Sequence, residues 1–141
     1  MDHLAILAKK RKLLAKILTG EKTIESRWYK FRKTPYKSIK EGDAVYFKES
    51  GEPVSAKATV KKVLFYDGLD QSIFKDIISG YGKNICISDS FWENVKDKRY
   101  VSLIFLENVQ KIAPFNTDTT GFAMMAAWLT LPDISSIKLH K

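Results

Sequence analysis

The chain has 141 residues, enough for one folded domain and too few for two, and its eight Phe, six Tyr and three Trp can build a sizeable core. A single cysteine, Cys86, excludes an internal disulfide and fits a reducing cytosol, and the longest nearly uncharged apolar run, Phe122 to Leu131, is far short of the roughly 20 residues a membrane helix needs. The net charge is +8, and the whole excess lies in residues 1–40, which hold 12 of the 24 basic residues but only 3 of the 16 acidic ones. A basic footprint this concentrated points to phosphate, in nucleic acid or on an anionic surface.

In chain order, Leu4-Ala5-Ile6-Leu7 reads as a short buried strand. Lys10 to Thr19 has helical spacing, with Leu13, Leu14, Ile17 and Leu18 on one stripe and Lys9, Lys12 and Lys16 opposite. At barely three turns and with no aromatic on its apolar stripe, it is expected to pack on a core rather than lie on a membrane. Gly20 is a natural stop, because glycine takes the left-handed C′ conformation without a Cβ clash. The strand that follows, from Thr23 to Trp28 or Tyr29, places Thr23, Glu25 and Arg27 on one face and Ile24 and Ser26 on the other. Lys22 sits at the mouth of the turn.

Residues 30–40 form a basic loop interleaved with Tyr29, Phe31 and Tyr36, a mixture that suits single-stranded nucleic acid or a surface loop anchored by its rings. Glu41-Gly42-Asp43 is a turn, and residues 44–48 and 54–60 alternate as the arms of a hairpin turned at 49–53. The apolar phase flips between Val60 and Val63, which predicts a β-bulge near Lys61-Lys62, as in a small barrel. Asp70 is an N-cap for a helix stopped at Gly80 or Gly82. Ser88 or Ser90 opens a second helix, with Ser90 and Glu93 as a capping box. Val101 to Leu106 reads as a central strand, Phe115 to Trp128 packs back on the domain, and Leu131 to Lys141 is expected to fray.

The chemistry narrows quickly. The only histidines, His3 and His140, are at the ends, so no Ser-His-Asp or Cys-His arrangement is expected, and no zinc-ligand spacing occurs. Neither Gly-rich phosphate motif is present, so neither a metal nor a cofactor is expected. Lys22, Glu25 and Arg27 remain. Arginine's fork suits phosphate or a base edge, glutamate accepts from exocyclic amino groups, and lysine supplies a point charge or a base. The alternative is an exposed Glu25–Arg27 ion pair beside an exposed Lys22, worth only about 0–1 kcal/mol.

Gly20-x-Lys22-x-x-Glu25-x-Arg27 resembles the signature of the ASCH domain family, in the PUA-like superfamily. The preceding helix and the following Gly42-Asp43 with its hairpin occur in the same order as in that family, and Gly121-Phe122 and Ala126-Ala127-Trp128 resemble a C-terminal segment of some longer members. The resemblance covers about residues 3–110. It implies an α+β, mainly β fold: a small PUA-like β-barrel of about five to six mostly antiparallel strands flanked by short helices. A single domain over 1–141 is expected, with a core at about 3–112 and an extension, 113–141, packed on the barrel.

The resemblance further implies a cleft beside the motif that binds RNA or a modified nucleobase; the cytoplasmic location is expected from the lone cysteine. Gly20, Lys22, Thr23, Glu25, Arg27 and Lys30 belong to that cleft, and Lys48 and Ser50 on the neighbouring hairpin are placed at its rim. Some smaller relatives are amidohydrolases that deacetylate N4-acetylcytidine with a lysine, a threonine and a glutamate, and others are described as ribonucleases. Lys22 matches that lysine, but Glu25 stands where the threonine would be, and Thr23 is offset. Lys22 and Glu25 are the catalytic candidates if the chain is an enzyme. An adaptor for an acidic protein partner is the third reading.

Overall fold

Two long strands carry the architecture seen in the computed structural model, which describes residues 1–122 and 126–139. They are β4 (Val54–Asp67) and β5 (Tyr100–Phe115), paired antiparallel along most of their length. The chain begins with β1 (Asp2–Leu7), a 3₁₀ turn (Lys9–Arg11), α1 (Leu13–Thr19), β2 (Ile24–Tyr29) and β3 (Ala44–Glu49). Between β4 and β5 come α2 (Gln71–Ile85) and α3 (Phe91–Val95). After β5 come β6 (Trp128–Leu131) and a closing 3₁₀ turn (Ile134–Ile137). One six-stranded sheet runs β2-β5-β4-β3-β1-β6, antiparallel except for the β1–β3 pair. Arg27 of β2 reaches carbonyls of Ile6 and Ala127 at the other end of that order, so the sheet curls until its two edges face each other across a seam.

The expected bulge is present. Pairing steps from Val60↔Leu106 to Lys62↔Phe105, so the apolar phase moves by one and Val60, Val63 and Phe65 all face the same core. That inner core gathers Ala5, Leu7, Phe47, Val60, Ile104 and Leu106 with Leu13, Leu14 and Ile17 of α1. The other face of β2 and β5 is covered by α2 and α3, where Ile24, Trp28, Val101 and Leu103 pack against Ile77, Ile85 and Val95. β5 is therefore buried on both faces, which is why Val101 to Leu106 is almost uniformly apolar.

Four local expectations are corrected. The first helix is not continuous from Lys10: Lys12 adopts φ 55°, and the left-handed turn leaves Lys9 to Lys12 exposed while Leu13 and Leu14 turn inward. α2 runs through Gly80 and Gly82 to Ile85, because Ile85 is itself a core residue and helix continuation buries it; the stop is Cys86 at φ 64°. Asp70 caps α2 as anticipated, accepting from the Ile73 N–H at 2.9 Å, but Ser90 makes no side-chain cap, and Glu93 pairs instead with Lys96. Finally, residues after Leu131 do not fray through 139. Leu131, Ile134 and Ile137 are buried against Leu4, and the Asp2 carboxylate accepts from the Ile134 N–H at 2.8 Å. His140 and Lys141 lie outside the described residues, as do 123–125 of the Phe115–Trp128 segment expected to pack back on the domain. Among the described residues no helix is long and apolar enough to cross a membrane.

Candidate functional site

The motif sits on an edge strand, and that position explains its residues. Gly20 ends α1 at φ 83°, its N–H returning to the Ile17 carbonyl, and the Lys22 N–H then bonds the Lys16 carbonyl. In β2 the odd-numbered residues bond to β5: the Thr23 carbonyl accepts from Leu106 and the Tyr29 carbonyl from Arg99. Even-numbered residues therefore turn their N–H and C=O toward the open edge. There the Lys22 Nζ donates to the Ile24 carbonyl at 2.8 Å, and the Ser26 N–H donates to Glu25 Oε1 at 2.9 Å. Lys22 and Glu25 thus act as a surrogate strand. The Ser26 carbonyl and the Trp28 N–H point the same way by the same alternation.

Expectation and structure differ over exposure. Lys22 is 2% exposed and Glu25 3%, so the motif is a buried cluster and not a surface ion pair. The Lys22 Nζ donates a second bond to the Ile85 carbonyl at 2.7 Å, at the end of α2, and lies 3.6 Å from Glu25 Oε1. Arg27 donates to Glu25 Oε2 at 3.3 Å, to the Ala127 carbonyl at 3.2 Å and to the Ile6 carbonyl at 3.5 Å. Its guanidinium also lies over the Trp128 ring, 5.0 Å from the centroid. One carboxylate thus stands between two cations.

Burial pushes the Glu25 carboxyl up, but Lys22, Arg27 and the Ser26 N–H outweigh it and hold the group below its usual range. Burial also pulls Lys22 down, against the opposing pull of Glu25. With two carbonyls and a carboxylate around Nζ, each ammonium proton faces an acceptor, which is the arrangement of a protonated lysine holding structure together.

A cavity of about 410 Å³ opens at the seam over this cluster. Lys22, Glu25 and Arg27 form its charged part, Trp28, Tyr29 and Phe91 supply aromatic wall, and Leu7, Leu13 and Ile85 to Ile87 complete it, with Arg11 at the basic turn. The other sequence candidates lie elsewhere. Thr23 is bound to Asn84 of α2 through both its N–H and its hydroxyl. Gly20 belongs to a separate depression with Lys16 and Lys83. Lys30 is exposed on the following loop, Lys48 pairs beside Ile6 in the sheet, and exposed Ser50 returns its N–H to the Leu7 carbonyl; none of the three lines the cavity. The hairpin stands off the cavity because β1 lies between β3 and the seam, a parallel pairing that no local pattern announces.

His3 escaped sequence reasoning altogether. Though two residues from the terminus, it is fully buried in β1. Its Nδ1 accepts from the Trp128 Nε1–H at 3.1 Å, with the Thr130 hydroxyl 3.2 Å away, and its Nε2 lies 2.9 Å from Asp43 Oδ2. The acceptor role at Nδ1 leaves the proton on Nε2, donated to Asp43. Burial holds this imidazole below its usual range in spite of Asp43. The network runs from Asp43 through His3 and Trp128 to Arg27 at the seam.

No protein-family model and no curated protein matches the chain. Solved structures do. ASCH from Zymomonas mobilis superimposes at a TM-score of 0.70 with 16% identity, over 98% of this chain and 96% of that one. Two single-site mutants of the same protein match at TM-score 0.71, with 17% and 16% identity, each over 96% of this chain and over 93% and 91% of theirs. The chain therefore has the mainly β, ASCH-like fold that the motif led us to expect.

Proposed function

We propose that the chain binds RNA or a base-bearing nucleotide, with one base held in the seam cavity. The observation that carries this reading is the composition of the cavity: a desolvated Lys22–Glu25–Arg27 cluster with aromatic walls from Trp28, Tyr29 and Phe91. A cavity of about 410 Å³ is in the range that encloses a small ligand. A planar base finds rings to stack on, and polar edge groups to meet in the Ser26 carbonyl, the Trp28 N–H and the Arg27 donors. The basic excess of residues 1–40 gives the long-range attraction to phosphate.

The hydrolase alternative asks Lys22 or Glu25 to give up its present partners. The carbonyls of Ile24 and Ile85 hold the Lys22 Nζ as a cation, so the geometry favours binding over nucleophilic or general-base work. Titrating the protein with a panel of nucleoside monophosphates while following tryptophan fluorescence tests the binding reading. Saturable quenching that is lost in Arg27→Gln is expected. Absence of binding by every nucleotide in low salt would refute it, and turnover of N4-acetylcytidine followed chromatographically would replace it with the enzyme.

A further inference from the structure

The loop after β2 repeats, outside the cavity, the mixture of rings and cations that lines it. Tyr36 is buried and Tyr29 half-buried, whereas Phe31 stands 74% exposed. Two of the neighbouring cations fasten the loop to the body, Lys33 over Tyr29 at 4.4 Å and Lys37 over Phe65 at 5.9 Å, while Arg32 lies over the loop's own Tyr36 ring at 5.4 Å. Tyr36 is wedged edge-on between Phe65 and Tyr100, at 5.3 and 5.0 Å. Among the described residues Phe31 takes part in no such ring contact, and Lys30, Arg32, Lys33 and Lys37 form no ion pair. A loop pinned at three points therefore holds one large ring in water amid uncompensated positive charge, and packing gives no reason for that ring.

We infer that Phe31 is a stacking platform for a second base. The ligand is then a stretch of single-stranded nucleic acid, with one base in the seam cavity, its neighbour on Phe31 and its phosphates near Lys30, Arg32 and Lys33. This rests on the nucleobase reading of the cavity. Tyr29 lines the cavity and Phe31 is two residues farther along, at most about 7 Å of chain, so the next base of a bound strand comes within reach of the ring. Every base has a π-face, so the platform adds affinity with little sequence preference. A membrane surface calls for a broader apolar face than one phenyl ring, and an acidic protein uses the cations without needing the ring.

Equilibrium binding of a fluorescein-labelled eight-nucleotide single-stranded RNA of random sequence tests the platform. Phe31→Ala is expected to weaken binding about 5- to 150-fold, the range for losing one base–aromatic stack, while its thermal midpoint and salt slope stay at wild type. Phe31→Trp keeps the affinity within a few-fold. Unchanged affinity in Phe31→Ala overturns the platform, and loss of binding in Arg27→Gln in the same assay shows that the cavity reading survives that failure. Weak binding in Phe31→Ala beside normal binding in Arg27→Gln upholds the platform and overturns the cavity. Phe31-dependent binding to phosphatidylserine vesicles, with none to the octamer, overturns both.

Discussion

The Arg27 guanidinium lies over the Trp128 ring, and the same indole donates its Nε1–H to the buried His3. A residue of one edge strand is thus held by a residue of the other, and the holder is oriented from beneath. Trp128→Phe keeps an aromatic face for Arg27 but leaves the His3 Nδ1 with Thr130 alone. We expect it to cost about 0.5–1.5 kcal/mol in urea unfolding, the range for losing one hydrogen bond whose acceptor keeps another partner. A midpoint and slope equal to wild type would show that the indole N–H contributes nothing.

Lys22 is expected to be the most sensitive position of the motif. Lys22→Met preserves length but leaves the Ile24 and Ile85 carbonyls and the Glu25 carboxylate without their cation. Removing one partner of a buried pair typically costs about 3–5 kcal/mol. Adding Glu25→Gln should cost less than its single-mutant value, because the uncompensated charge is then gone. Strict additivity in denaturant unfolding would mean that the two groups are not coupled.

Acid should lower the stability of the protein along two limbs. His3 is held below 6.5 by burial, so between its folded-state pKa and 6.5 the unfolded chain binds the extra proton and stability rises with pH. Glu25 and Asp43 are held below 4.5 and 3.8, despite burial, by their cationic and N–H partners. Their contribution is complete above those values and is lost as pH falls through the folded-state pKa. The thermal midpoint should be flat above about pH 6.5, fall gently below it and fall steeply under about pH 4.5. His3→Gln should abolish the gentle limb and keep the steep one. A gentle limb that persists in His3→Gln assigns it to another group.

Salt should report the basic segment directly. If about 3–5 phosphates of a single strand are neutralised, log K falls against log salt with a slope of roughly −2 to −3.5. Replacing Lys30, Arg32 and Lys33 together by Gln should flatten that slope by up to about 2. Fluorescence anisotropy with the RNA octamer between low and moderate salt measures both slopes, and an unchanged slope removes this loop from the phosphate path.

How much of this was legible depended on how far apart the partners lie in sequence. The Gly20 stop, the Asp70 cap and the phase flip at Lys61-Lys62 are local, and each was readable from a few neighbouring residues. The grouping of Lys22, Glu25 and Arg27 was also local, but their burial was not. It depends on the Ile85 carbonyl, delivered by a helix that ignores its own glycines, and on Ala127, a hundred residues from Arg27. His3 looked idle because its partners, Asp43, Trp128 and Thr130, meet only when β1 is inserted between β3 and β6. Charged residues without nearby partners were read as solvated, and the fold supplied the partners from a distance.

The surrogate strand formed by Lys22 and Glu25 also bears on how the molecule behaves in a crowd. An edge strand with unpaired N–H and C=O groups is a template for another chain's strand, and intermolecular sheets grow from such edges. Here the Ile24 carbonyl and the Ser26 N–H are already occupied by the Lys22 and Glu25 side chains, so a neighbouring copy meets an edge capped over its first half. The cap is ionic, and acid that protonates Glu25 weakens it in the same range in which the fold itself loses stability. Self-association in acid would then begin at β2, the strand that at neutral pH faces the cavity.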